Sequence, residues 1–264
     1  MKIDMHVHSN NSDGTLSVKE LIEEAKSKNI DSFALTDHDT IQGIEEYLNL
    51  DADYPVIYGI ELSTYLHGKP VHILGYFKKA LPEMEELKTY LTRIKKKREE
   101  RIQKILVGLK KYFDIEIEYE EVKKNSHGVI ARPHIARAII EKYGYTFEEI
   151  FDKFLGDDSP AYVEIDRLTT KDGIDLLKRN HATTVLAHPI FLTDEMVKEI
   201  ISFGVDGIEV YYLNQDIEKY HKIAQTNHLI ETGGSDYHGS MNDSEFGIPS
   251  ITEEQFNHIK DIIF

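Results

Sequence analysis

The 264-residue chain contains no cysteine. That excludes disulfide staples, thiolate-ligated zinc, iron–sulfur clusters and a thiol nucleophile. No apolar run approaches the roughly 18–20 residues that a membrane-spanning helix needs. No apolar signal region follows the opening Met-Lys-Ile-Asp-Met-His either. Positive charge is scarce: 31 Lys and Arg stand against 47 Asp and Glu, a formal net charge of −16. A globally basic nucleic-acid binder is thereby ruled out, leaving only a local basic patch to touch a polyanion. Internal repeats and low-complexity tracts are also missing. The expectation is a cytoplasmic globular protein, long enough for one sizeable core or one core plus a small appended domain. What the chain does have is 13 histidines, and their placement carries the argument.

The pattern of apolar residues predicts short strands alternating with helices over the first part of the chain. Strands are expected at 2–7, 32–36, 56–63 and 69–77, the last two joined by a turn at His67-Gly68-Lys69-Pro70. Ser17 and Glu20 form a capping box ahead of a helix that buries Val18, Leu21, Ile22 and Ala25. A second helix is expected at 40–50. From about 79 to 159 the pattern is mostly helical, led by 82–112, where Leu87, Leu91, Ile94, Ile105 and Leu109 keep near-helical spacing. The alternation then returns, with helices at 169–180, 194–203 and 214–225 and strands at 184–187, 205–211 and 229–233. Repeated βα units with apolar strands argue for an α/β fold with a parallel sheet, either closed as a barrel or doubly wound. The simplest arrangement is a βα barrel, residues 1–78 and 160–264, interrupted by a helical insertion at 79–159.

The first strand carries Asp4-Met5-His6-Val7-His8. Side chains alternate along a strand, so His6 and His8 point the same way, which suits one metal ion. Other strand ends follow suit: Asp13, His38 in Thr36-Asp37-His38-Asp39, Glu61 in Gly59-Ile60-Glu61, His72, His188 in Ala187-His188-Pro189, and Asp236 with His238. In barrels and open α/β sheets, sites form at the carboxyl ends of strands, so these residues converge on one mouth. They are too many for one ion, and two or three bridged by a carboxylate would use them all. Nitrogen and carboxylate donors without sulfur suit Mn²⁺, Fe²⁺ or Zn²⁺. Asp4, Asp37 and Asp39 are either partners that orient ligand imidazoles or ordinary strand-end carboxylates.

This ordered set, from Asp4-Met-His6-Val-His8 through Ser235-Asp236-Tyr-His238, resembles the PHP (polymerase and histidinol phosphatase) superfamily along almost the whole chain. The resemblance is closest to its stand-alone metal-dependent phosphoesterases, and it implies a distorted seven-stranded TIM-like (β/α)7 barrel with a helical insert. Similar members hydrolyse 3′,5′-nucleoside bisphosphates to nucleoside 5′-monophosphates, and some trim short 5′-phosphorylated RNA. It further implies three metal positions: His6, His8, Glu61 and Asp236 at one; Glu61, His72 and His188 at a second; Asp13, His38 and His238 at the third. Mn²⁺ is the expected metal, with Fe²⁺ or Zn²⁺ as alternatives. Clustered divalent ions would neutralise phosphate oxygens and lower the pKa of a bridging water to roughly 7, giving the hydroxide that attacks phosphorus. Asp13, His38, Glu61 and His238 are the expected catalytic residues.

Within the insertion, Ala131-Arg132-Pro133-His134 resembles a signature of relatives whose insert overhangs the mouth. Arg132 is then a bidentate phosphate clamp and His134 a second contact, or else Arg132 is an ion-pair partner and His134 a cap. Arg137 is expected on the far side of that helix. The basic run Arg93, Lys95, Lys96, Lys97, Arg98 and Arg101 reads as a solvated helix face rather than a rail for RNA. Tyr211 is placed at the mouth. His67, His127, His181, His221, His228 and His258 fall outside the strand-end pattern. The expected substrate is a small phosphorylated molecule, a nucleotide or an RNA 5′-end, with no membrane and no stable nucleic-acid complex. Histidinol-phosphate phosphatase, metal-dependent amide hydrolysis and a metal-stabilised binding module are the competing readings.

Overall fold

A computed structural model describes residues 1–78, 84–124, 126, 128–241 and 244–263. The helix start expected at Pro82 and the histidine His127 lie outside the described residues. Eight strands form one sheet: β1 (Lys2–Val7), β2 (Ser32–Leu35), β3 (Val56–Leu66), β4 (Lys69–Phe77), β5 (Ala182–Leu186), β6 (Gly207–Tyr211), β7 (Ile230–Gly233) and β8 (Ile251–Thr252). The helices are α1 (Val18–Ser27), α2 (Gln42–Asn49), α3 (Glu85–Phe113), α4 (Tyr119–Lys123), α5 (Arg132–Tyr143), α6 (Phe147–Ile150), α7 (Thr170–Arg179), α8 (Asp194–Ser202), α9 (Ile217–Asn227) and α10 (Glu253–Ile263). The two-residue β8 and the C-terminal α10 are additions to the elements expected from the sequence.

The strand order is β7-β6-β5-β4-β3-β2-β1-β8. Pairing is parallel within β1–β2–β3 and within β5–β6–β7, as the βα alternation predicts. It fails at β4, which runs antiparallel to both β3 and β5. The cause is the tight turn at His67-Gly68, where both residues have positive φ; a connection that short can only return the chain antiparallel. Because β4 is inverted, its amino-terminal end, with His72, lies at the rim where the neighbouring strands have their carboxyl ends. β3 also runs on to Leu66, which places Glu61 in mid-strand rather than at its end.

The sheet curls into a nearly closed barrel. Past β7, Tyr237 pairs with Val7 of β1: His8 N–H donates to Tyr237 O at 2.9 Å, and Tyr237 N–H to His6 O at 3.4 Å. Gly234 permits the approach, since a Cβ there would stand 2.4 Å from the His6 nitrogen. Alternate residues on the outer face, among them Ile60, Leu62, Ile73, Leu186 and Ile208, pack under α7, α8 and α9 through Leu177, Val197 and Ala224. Leu74, Tyr76 and Val185 belong to a separate cluster capped by Ile259 and Ile263 of α10. The capping box at Ser17 and Glu20 forms as expected.

Between β4 and α7 a further cluster gathers Ile102, Ile105 and Leu109 of α3 with Ile135 and Ile139 of α5 and Phe154 from a π-helical turn at Phe151–Leu155. Leu109 is fully buried there. Leu109→Ala is expected to cost about 2–5 kcal/mol in urea unfolding; a negligible loss would mean that these helices do not share a packed core.

Candidate active site

Every metal-ligand candidate read from the sequence arrives at one place. Glu61, on β3 and fully buried, is the centre. Its Oε2 lies 3.2 Å from His6 Nε2, 3.1 Å from His8 Nε2 and 3.0 Å from His38 Nδ1. Its Oε1 lies 2.8 Å from His72 Nδ1 and 2.9 Å from His188 Nε2. Asp236 Oδ1 stands 3.3 Å from His6 Nε2 and 3.1 Å from His8 Nε2. At the outer edge, Asp13 Oδ1 is 3.3 Å from His238 Nε2, and His38 reaches toward the same carboxylate. His188 and Asp236 sit in left-handed backbone, φ 26° and 52°, so the turns that present them are themselves constrained.

Three groups have donor atoms within 4.8 Å of one another: His6, His8, Glu61 and Asp236; His8, Asp13, His38 and His238; and His38, Glu61 and His72. The first is the set the family resemblance implies. The other two regroup the same residues, with His38 in the place expected for His188, which stands 3.3 Å from His72. Nε2 of His6 and His8, Nδ1 of His38, Oδ1 of Asp13 and Oε2 of Glu61 are buried without a hydrogen-bond partner among the described residues. Buried polar atoms left unpaired are costly, and hard nitrogen and oxygen donors turned toward one another fit divalent cations. The charges agree. Burial opposes ionisation of Asp13, Glu61 and Asp236, yet the surrounding imidazoles hold all three well below the usual carboxylate range. Burial likewise opposes a charged His8, but Asp236 and Glu61 push it up to about 10. His38 goes the other way, to about 3, because burial outweighs its carboxylate neighbours.

The supporting contacts differ from expectation. Asp4, Asp37 and Asp39 orient no ligand imidazole among the contacts described. Asp4 accepts from Ser235 and from the Gly247 and His6 nitrogens, Asp37 from Ser9 and Ser12, and Asp39 from Ser63 and Arg98. They brace the backbone segments that carry the ligands. The residue that does orient an imidazole is Glu209 on β6, which the sequence reading passed over. Its Oε1 is 3.1 Å from His6 Nδ1, and its Oε2 accepts from the His188 nitrogen at 2.7 Å. The signal was available: Gly207-Ile208-Glu209 repeats Gly59-Ile60-Glu61, each a carboxylate inside an apolar strand. At the mouth it is Tyr212, not Tyr211, that reaches inward, with its hydroxyl donating to Asp236 at 3.1 Å; Tyr211 turns to Glu231. A cavity of about 300 Å³ opens over His38, Glu61, His72, His188 and Asp236, walled by Pro70, Val71, Phe191 and Leu192.

In the insertion, Arg132 donates to Asp157 at 2.6 Å and to Leu155 O at 2.8 Å, so the ion-pair arrangement is the one observed. His134 is fully buried and its Nδ1 accepts from the Ala131 nitrogen at 3.0 Å. Arg137 does not face away: its Nη2 donates to the carbonyls of Asp13 and Gly14. Nor is the basic run a uniform solvated face. Arg98 and Arg101, three residues apart, are buried, and Arg98 pairs with Asp39.

A βα barrel with a carboxylate–imidazole cluster of this density at its carboxyl rim is a site built to hold divalent ions for hydrolysis. The chain belongs to the PHP domain family, whose model matches residues 4–237. It is 30% identical over 250 residues to a 5'-3' exoribonuclease of Haemophilus influenzae, covering 90% of each chain. It is 27% identical over 253 residues to a 3',5'-nucleoside bisphosphate phosphatase of Chromobacterium violaceum, covering 89% of this chain and 87% of that one. Among solved structures, a protein of Bifidobacterium adolescentis described as a candidate metal-dependent phosphoesterase superposes with a TM-score of 0.87 at 26% identity, over 97% of this chain and 94% of that one. The protein is accordingly a hydrolase of phosphoester bonds. No helix among the described residues is long and apolar enough to cross a membrane.

Two measurements probe the support around the cluster. Glu209→Ala is expected to weaken Mn²⁺ binding about 10–100-fold by calorimetry, with Glu209→Gln milder; unchanged affinity would reduce Glu209 to packing. Burial pushes His134 down to about 4 from 6.5, against the pull of Asp13. Its neutral form is the folded one, so its contribution is full above pH 6.5 and is lost as pH falls toward 4, by about 3 kcal/mol. The stability advantage of wild type over His134→Gln should therefore shrink between pH 7 and pH 4 in urea unfolding.

Proposed function

We propose that the protein removes the 3′-phosphate from 3′,5′-nucleoside bisphosphates, leaving nucleoside 5′-monophosphates, and that it also acts on short 5′-phosphorylated RNA in the cytoplasm. The observation that carries this reading is the Glu61-centred cluster beneath an open cavity, supported by relatives named for these two activities. The barrel, 1–78 and 160–264, supplies the cluster, and the helical domain at 79–159 covers its mouth. Two or three divalent ions, Mn²⁺ in the first instance, would be held by His6, His8, Glu61 and Asp236, by His72 and His188 with Glu61, and by Asp13, His38 and His238. Bound there, such ions neutralise phosphate oxygens and activate water.

The chain's own groups do the rest. Glu61, which meets five imidazoles, fixes their mutual spacing. Glu209 accepts from His6 Nδ1, which leaves the Nε2 lone pair aimed at the cluster. Tyr212 holds Asp236 by its Oδ2. Where only two ions are held, His238, paired with the ionised Asp13 at the more open edge, would pass a proton to the oxygen that departs as the P–O bond breaks. Arg132 and His134 contact the substrate phosphates from the insert side; for Arg132 this means exchanging Asp157 for a phosphate oxygen.

Phosphate release from adenosine 3′,5′-bisphosphate with Mn²⁺ tests the reading. Wild type should turn over; His8→Ala should lose at least 100-fold, and Arg132→Ala should act mainly on KM. No release from metal-loaded wild type would sink the nucleotide assignment while leaving the barrel and its cluster in place.

A further inference from the structure

The cavity over the cluster has two kinds of wall. One is polar, built from the carboxylates and imidazoles around Glu61. The other is Pro70, Val71, Phe191 and Leu192, whose side chains carry no donor or acceptor. The sequence explains the pairing of the two. Pro70 and Val71 lead into His72 on β4, and Phe191 and Leu192 follow His188, so each of these ligand-bearing segments brings apolar residues to the same opening. At about 300 Å³ the cavity has the size at which small-ligand pockets begin, more than one phosphoryl group fills.

Phe191 is the unusual member of this wall. Among the described residues it is the one phenylalanine left exposed, at 68%. A lone exposed apolar side chain is ordinary, but this one is held in place. Pro189 opens a single 3-10 turn, Pro189–Phe191, in which Phe191 N–H donates to His188 O at 3.3 Å and Leu192 N–H to Pro189 O at 3.0 Å. The Phe191 ring lies 5.4 Å from the His188 imidazole, tilted by 61°, and 6.1 Å from the Tyr212 ring, tilted by 80°. Both separations fall in the range of favourable aromatic pairs. Tyr212 is in turn fixed through its hydroxyl, which donates to Asp236. A large, ordered ring thus stands in water one side chain away from the cluster, where covering it with a flat partner would remove apolar surface from solvent. A phosphoester seated on the cluster must lay its organic part along the same cavity, and on the side of His72 and His188 that cavity offers it apolar surface.

We propose that Phe191 is the stacking platform for the base of the substrate nucleotide whose phosphate is cleaved at the Glu61 cluster. This rests on the nucleotide reading above and deepens it by naming a residue that sets specificity. Because the wall carries no side-chain donor or acceptor, it accepts any base and ranks them by stacking area, purines ahead of pyrimidines. Such tolerance suits an enzyme that meets every residue of a short strand in turn.

The test compares the full-length, Mn²⁺-loaded protein on 2′-deoxyadenosine 3′,5′-bisphosphate and on its base-free analogue, 1,2-dideoxyribose 3,5-bisphosphate. Wild type should favour the base-bearing compound about tenfold or more in kcat/KM, and Phe191→Ala should lose most of that ratio. Phe191→Trp, which keeps a stacking face, should retain it. A wild type with no preference would overturn the platform. So would a Phe191→Ala variant that keeps the ratio, or that slows both compounds alike as a general structural role requires. If wild type releases phosphate from neither compound, the nucleotide reading has failed. The two compounds, then not consumed, are titrated calorimetrically, and the same ratio with its loss in Phe191→Ala decides the platform.

Discussion

Five imidazoles around one buried carboxylate set the terms for the rest of this molecule. Glu61 cannot be ionised, desolvated and surrounded by donors unless each donor comes from a backbone that is itself fixed, because a carboxylate out of water tolerates little slack. The strand that carries Glu61 is the longest in the sheet, and the strand beside it is reversed, which delivers His72 from the direction opposite to its neighbours. His6 and His8 arrive from β1, His38 and His188 from the turns after β2 and β5, and Asp236 and His238 from the segment that closes the barrel. Asp4, Asp37 and Asp39, all buried, tie those turns down by their main-chain nitrogens and neighbouring hydroxyls. The cluster and the barrel are thus one construction.

Much of this was legible in the chain, for a physical reason. A ligand at a strand end needs a chemically distinctive side chain next to an apolar run, and His6, His8, His38, His188 and the Asp236–His238 pair stand out on that basis. The family resemblance added how they divide among ions. Glu209 was missed because a lone acidic residue inside a strand carries no spacing signal; only its likeness to the Gly-Ile-Glu around Glu61 marks it. The reversal of β4 follows from turn length, which periodicity does not register. The buried pair Arg98 and Arg101 was hidden inside a run of six basic residues, since composition cannot say which side of a helix faces the barrel. Tyr212 rather than Tyr211 reaching inward is a difference of one residue at the end of β6, where strand alternation no longer applies.

Electrostatically the molecule is divided. Its surface is acidic, its centre alternates carboxylates with imidazoles whose protonation is set by one another, and its cations of consequence lie between the helical segment and the barrel. The Asp39–Arg98 pair joins the two parts: one partner follows a member of the cluster, the other belongs to the long helix. Arg137 makes a second junction, holding the carbonyls of the Asp13 loop from α5. The helices are therefore attached to the loops that carry the chemistry, and a shift of α3 or α5 would be felt at Asp13 and His38 first.

The closure of the barrel by Tyr237 against Val7 has a consequence for how the protein comes into being. The residues that complete the centre are separated by more than two hundred positions, and Asp236 and His238 are made after every other member of the cluster. Until that segment docks, His6 and His8 have Glu61 beside them but lack the second carboxylate, Asp236. Completion of the centre therefore requires a contact between segments far apart in the chain, the kind of pairing that slows folding.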